Sequence, residues 1–196
     1  MAYSFEFCAP TNVIFGKGAE AELGKRVKAW GASSVMVVYG GGSAERSGLL
    51  GTVRSALDAE NIPFCELGGV VANPRLDKVY EGVSIGKERG VDFLLAVGGG
   101  SAIDCAKGVA AGFFYDGDPW DLSAKKLTPE RALPIFTVLT MAATGSEMDD
   151  IAVISNPETN EKESFSGPCC YPAESILDPT YTYTLPASQT AAGTAD

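Results

Sequence analysis

The residues of this chain best suited to chemistry are backbone groups. The run GGGSAIDCAKG, Gly98 to Gly108, follows the apolar stretch FLLAV, Phe93 to Val97. A loop that leaves a parallel strand and opens a helix aims free N–H groups, and a partial positive charge of about half a unit, at whatever sits in front of it. Phosphate is the natural guest. Gly98, Gly99 and Gly100 let the backbone close on an oxyanion with no β-carbon in the way, and Ser101 adds a hydroxyl donor at the helix start. A shorter echo, GGGSAERSG, Gly40 to Gly48, follows SVMVVY. The spacing fits neither standard phosphate pattern: GxGxxG needs glycine where Ile103 stands, and no Gly-Lys-Ser/Thr follows four free residues. On the glycines alone, a phosphate cradle and a simple tight turn are both open. Asp104 and Lys107 lie three apart on the same helix, the spacing of a surface ion pair worth about a few tenths of a kcal/mol.

Histidine is absent. Its absence excludes Ser-His-Asp and Cys-His catalysis and removes both the usual general base near neutral pH and the commonest ligand for zinc or iron. A net charge of −10, from 15 Lys plus Arg against 25 Asp plus Glu, argues against a nucleic-acid partner. The opening MAYSFEFCAP carries a glutamate in its apolar run and no basic lead-in, so it does not read as a secretory leader. No run approaches the ~18 apolar residues of a membrane span. The five cysteines, Cys8, Cys65, Cys105, Cys169 and Cys170, show no CxxC spacing; they fit reduced thiols of a cytoplasmic protein, most of them small core residues.

Positioning these loops falls to alternating elements. Strands are predicted at 12–15, 34–39, 63–67, 92–97, 134–139, 151–155 and 175–177, with helices over 19–30, 47–60, 76–89 and 101–114. In the helix 76–89, Leu76, Val79, Val83 and Ile85 fall near one face while Asp77, Lys78, Glu81, Lys87 and Glu88 face water, as a crossover helix requires. Strand and helix at this spacing make parallel βαβ units, so the fold expected is a doubly wound α/β domain. DGDPWDLSAKKLTPERALP, from Asp116, reads as a surface loop, and NPETNE between IAVIS and KESFS as a hairpin on or beside the main sheet. Near the end, LPASQTAAGTAD starts a helix with Ser188 as N-cap. So short a helix is marginal alone, so the chain is expected to be a piece of a larger protein, with newly exposed apolar surface that favours self-association.

Taken together and in order, ANPR (72–75), GGGSAIDCAKG, TMAATGSEMD (140–149), LDPTYTYTLP (177–186) and the terminal TAAGTAD resemble the iron-containing alcohol dehydrogenase family, in its NADP-dependent butanol dehydrogenase branch of broad aldehyde reductases. The resemblance runs from NVIFGKGA at Asn12 to the last residue. It implies a Rossmann-like, doubly wound, mostly parallel sheet with a β-hairpin addition over residues 1–185, and residues 186–196 as the start of a helical, metal-bearing domain that is otherwise absent.

It also implies the site. Pyrophosphate would rest on Gly98, Gly99, Gly100 and Ser101, with Asp104 close to the cofactor and Lys107 structural. Asn73, Thr140 and Thr144 would line the nucleotide and Lys162 would reach the nicotinamide side, although each threonine also fits a strand end with a satisfied hydroxyl. NAD-using relatives carry an aspartate after the second strand; Gly41 stands there, with Ser43 and Arg46 nearby, which favours NADP over NAD. Asp196 matches the family's one aspartate ligand to a divalent metal, iron or zinc, whose other ligands are three histidines. Met148, Asp149 and Asp150 depart from the family after GSE, and two carboxylates near a nucleotide cost affinity unless paired or turned away. The implied activity is hydride transfer between a nicotinamide and a small primary alcohol or aldehyde, in a homodimeric full-length enzyme. A nucleotide-binding module without turnover, and a relative acting on polyols or sugar phosphates, are the alternatives.

Overall fold

Strands made almost entirely of Val, Ile, Leu and Phe, with no polar alternation, must be covered on both faces. A computed structural model, which describes Ser4 and residues 8–196, meets that demand; most of MAYSFEFCAP lies outside the described residues. The described residues form eight strands: β1 (Asn12–Phe15), β2 (Val35–Tyr39), β3 (Phe64–Leu67), β4 (Phe93–Gly98), β5 (Ile135–Leu139), β6 (Ile151–Asn156), β7 (Glu161–Ser166) and β8 (Glu174–Leu177). Six of them make one all-parallel sheet in the order β1-β8-β5-β4-β2-β3. The helices are α1 (Leu23–Trp30), α2 (Ser43–Arg46), α3 (Leu49–Ala59), α4 (Leu76–Arg89), α5 (Gly100–Gly112), α6 (Trp120–Ala124) and α7 (Ala187–Ala195).

Period-two alternation sends neighbouring residues to opposite faces and builds two cores. Val35 and Val37 of β2, Phe93, Leu95 and Val97 of β4, and Phe136 of β5 pack under Leu23 and Val27 of α1 and Leu49, Val53 and Leu57 of α3. Phe93 meets Phe136 edge-on at 4.8 Å, an arrangement that adds about 1 kcal/mol beyond the area it buries. Met36, Val38, Leu94 and Ala96 face the other way, toward Val79 of α4 and Ile103, Ala106 and Val109 of α5. Helices α4 and α5 lie so close that a β-carbon on Gly82 would come within 2.5 Å of the Val109 side chain.

The predicted strands and the α4 helix match the structure to within a residue or two. Three details differ. The helix expected over 19–30 begins as a single 3-10 turn, Ala19–Glu22, before α1. The short helices α2 and α6 fall where the sequence pattern predicts loop. The hairpin β6–β7 forms a separate antiparallel pair that packs on α5, not on the main sheet, and touches the loop after β3 through one bridge, Arg75 to Ser155. None of the described helices is long and apolar enough to cross a membrane.

Candidate functional site

The sheet order places β2 and β4 side by side, and the chain leaves their carboxyl ends in opposite directions. After β2 it passes through α2 to α3 on one face; after β4 it enters α5 on the other. Divergence of this kind opens a crevice where doubly wound sheets take their ligands. A cleft of about 1070 Å³ lies there. It is lined by Gly98, Gly99, Gly100 and Ser101 beyond β4, by Gly40, Ser43 and Arg46 beyond β2, by Val70 and Ala72 beyond β3, and by Thr140, Met141 and Thr144 beyond β5. Its far wall is α7, through Ser188, Gln189 and Ala192, with Asp196 at the helix end.

The loop after β4 is shaped for close approach. The Gly99 carbonyl accepts from Ala102 N (3.0 Å) and Ile103 N (3.3 Å) and so starts α5; the first N–H groups of a helix have no acceptor within it and face outward. A β-carbon on Gly98 would come within 2.8 Å of Ala102 Cβ, and one on Gly100 would overlap the Thr144 hydroxyl. Thr140 N donates to the Gly98 carbonyl at 3.0 Å, tying the loop after β5 to the loop after β4.

Not every residue expected at the cofactor lines the cleft. Gly41 is exposed and outside the lining, although its neighbours Gly40 and Ser43 are in it. Lys162 Nζ donates to Asn73 Oδ1 at 2.8 Å, so these two meet each other, and neither lines the cleft. Asp104 is also outside the lining: both its oxygens are engaged, Oδ1 accepting from Ser146 Oγ at 2.6 Å and Oδ2 from Val153 N at 3.2 Å. Burial pushes its carboxyl above the ordinary range, against the hydrogen bonds from Ser146 and Val153 and the Lys107 ammonium.

Lys107 is no surface residue. Its side chain has no exposure, and Nζ donates among Ser146 Oγ (3.0 Å), Asp149 Oδ1 (2.7 Å), Asp149 O (2.8 Å) and Ile151 O (2.9 Å). Asp149, whose charge would oppose a nucleotide, is thereby paired. The structural reading of Lys107 holds, while the i,i+3 surface pair with Asp104 does not form.

At the β2 end, Arg54 draws two carboxylates away from the cleft. It holds Glu66 at 2.7 and 3.1 Å and Glu45 at 3.0 Å, and Tyr39 Oη donates to Glu66 at 2.8 Å. The guanidinium keeps the Glu66 carboxyl below its ordinary range, outweighing burial. Of the described residues lining the cleft, only Arg46 and Asp196 are charged.

Burial pushes the Cys105 thiol up to about 12 and raises those of Cys65, Cys169 and Cys170 as well, so none of these is a ready nucleophile. Among the described residues, no three His, Cys, Asp or Glu side chains come together as a metal site. Sequence reasoning reaches this helix and Asp196 but not Ser188, Gln189 and Ala192 as cleft wall, although Ser188, Ala192 and Asp196 are spaced four apart, which puts them on one helical face. That helix starts two residues earlier than expected, with Pro186 rather than Ser188 at its N-cap.

Residues 10–179 match the family described as iron-containing alcohol dehydrogenase. The chain is 52% identical over 193 residues to NADH-dependent butanol dehydrogenase A of Clostridium acetobutylicum, covering 98% of this chain and 49% of that protein. It is 39% identical over 198 residues to the NADPH-dependent aldehyde reductase YqhD of Escherichia coli, covering 98% and 50%. The crystal structure of NADH-dependent butanol dehydrogenase A from Thermotoga maritima superposes with a TM-score of 0.96 at 44% identity, over 98% of this chain and 48% of that one. The chain thus spans about half the length of the curated relatives it matches.

Proposed function

The chain belongs to the iron-containing alcohol dehydrogenase family, and on that premise we propose that it is the cofactor-binding part of an alcohol dehydrogenase or aldehyde reductase, taking a nicotinamide dinucleotide in the cleft between β2 and β4. The observation that carries this reading is the pair of loops diverging from neighbouring parallel strands, one of them opening α5 through Gly98 and Gly100, where a β-carbon would clash. When bound, the nicotinamide supplies the hydride that reduces an aldehyde, or accepts it from a primary alcohol.

The chain's own groups hold and orient. Outward N–H groups of Gly99, Gly100 and Ser101, at the positive end of a 13-residue helix, hold the pyrophosphate. Thr140 and Thr144 add hydroxyls from the facing loop. At the adenosine end, Ser43 and Arg46 line the cleft while the intervening Glu45 is outside the lining and held by Arg54, which supports acceptance of a 2′-phosphate and hence NADP. The name of the C. acetobutylicum relative favours a second reading, NADH. Asp196 lines the cleft as a candidate carboxylate ligand for a divalent metal, but the described residues bring no further ligands to it. We therefore assign residues 1–185 to cofactor binding. The same lack supports binding without turnover by these residues alone.

Titration calorimetry with NADPH and NADH tests the reading. Micromolar binding of NADPH, tighter than NADH, is expected; tighter NADH would reverse the cofactor preference, and binding of neither would end the proposal. Supplying an aldehyde and iron or zinc should give no turnover by these residues.

A further inference from the structure

The buried group behind the cleft fixes hydrogen-bond directions as well as positions. An ammonium can only donate, so Lys107 Nζ gives a proton to Ser146 Oγ at 3.0 Å, and the Ser146 hydroxyl must then donate its own proton to Asp104 Oδ1 at 2.6 Å. Ser146 is 2% exposed and is pinned to α5 by two bonds of set polarity. Gly145, left-handed at φ 76°, turns the chain between it and Thr144. Across that turn Ser146 N donates to Thr144 Oγ1 at 3.3 Å. The Thr144 oxygen therefore acts as an acceptor toward its own loop, and its proton is unused among the described residues. The Thr144 side chain lies against the first residue of α5, in the space that a β-carbon on Gly100 would take.

We infer that Ser146 is a positioning residue: locked between Lys107 and Asp104, it holds Thr144 over the first turn of α5 so that the Thr144 hydroxyl donates to the phosphates of the dinucleotide. This rests on the cofactor reading above. Ser146 touches no ligand itself. It acts through Thr144, and Lys107 and Asp104 act through it.

The test is a double-mutant cycle on the full chain, with Kd for NADPH and NADH measured by titration calorimetry. Ser146→Ala is expected to weaken binding of the preferred dinucleotide about tenfold. Thr144→Val should weaken it to a similar degree, and adding Ser146→Ala to Thr144→Val should change Kd by less than twofold, because the route through Thr144 is already cut. A merely structural role for Ser146 would instead add its full effect in either background. Additive losses, or a Ser146→Ala protein that binds like the wild type, would overturn the inference while leaving the cofactor reading intact. A wild-type chain that binds neither dinucleotide would remove the reading and the inference together. If the double variant fails to fold, Ser146→Thr decides: it keeps the hydroxyl and should bind within threefold of the wild type, and a loss equal to that of Ser146→Ala would sink the idea.

Discussion

Gly100 and Thr144 compete for one space: a β-carbon on the first residue of α5 would overlap the Thr144 hydroxyl. An alanine at position 100 favours the helix by about 1 kcal/mol on propensity, yet it must displace the threonine from the cleft. Gly100→Ala is expected to leave the thermal midpoint within a few degrees of the wild type and to weaken dinucleotide binding at least tenfold. Scanning calorimetry beside titration calorimetry checks it; unchanged affinity would show that the cradle tolerates a side chain.

Cofactor preference is open to a substitution that costs the fold little. Gly41 is exposed, has no left-handed backbone, and would accept a β-carbon with no heavy atom within 4 Å of it. An aspartate there would place a carboxylate at the β2 end, where Arg46 lines the cleft. Gly41→Asp should weaken NADPH about tenfold and NADH less than twofold. Equal effects on both would argue that the 2′-phosphate does not lie at this end.

Removing the buried ammonium should be felt as stability. Lys107→Met leaves the Asp149 and Asp104 carboxylates without their cation, and breaking a buried pair costs about 3–5 kcal/mol; because the Asp149 side chain is 35% exposed, the lower end, about 3 kcal/mol, is expected. Urea denaturation measures it. A loss under about 1 kcal/mol would mean that the pair is already solvated.

Two carboxylates set opposite pH dependences. Burial raises Asp104, so the native state holds its proton more readily than the unfolded chain; that contribution is full below the unfolded value of about 4 and is lost as pH rises through the native value. Arg54 lowers Glu66, whose contribution is present above about 4 and is lost as pH falls through its native value. Urea midpoints across a pH series should show Asp104→Asn flattening the decline above pH 4 and Glu66→Gln flattening the acid limb. An unchanged slope in either variant contradicts the corresponding assignment.

Much of the fold and cleft is legible in the residues, and the gaps have physical causes. The central strands are near-continuous runs of buried apolar residues, and glycine clusters at their carboxyl ends mark the crevice. The i,i+3 spacing misplaces Lys107 on the surface because it describes a helix with one wet side, whereas α5 buries eleven of its residues, Ala102 to Gly112. Its run of small apolar residues is the available signal, since a helix apolar all round is a buried helix. Asp104 follows from the resemblance, but only tertiary packing of the hairpin on α5 turns it toward Ser146 and Val153. The α7 wall depends on contacts that no local pattern records.

The edge strand β1 has one neighbour in the sheet, β8, with Asn12 opposite Glu174 and Phe15 opposite Leu177. On a ribosome the first of the described strands to emerge is therefore without its partner until β8 has been made. Until then its backbone donors and acceptors stay unpaired, and Phe15, 72% exposed even in the finished sheet, stays in water. Pairings this distant in sequence are slow to close, so this four-residue strand is expected to join the sheet late.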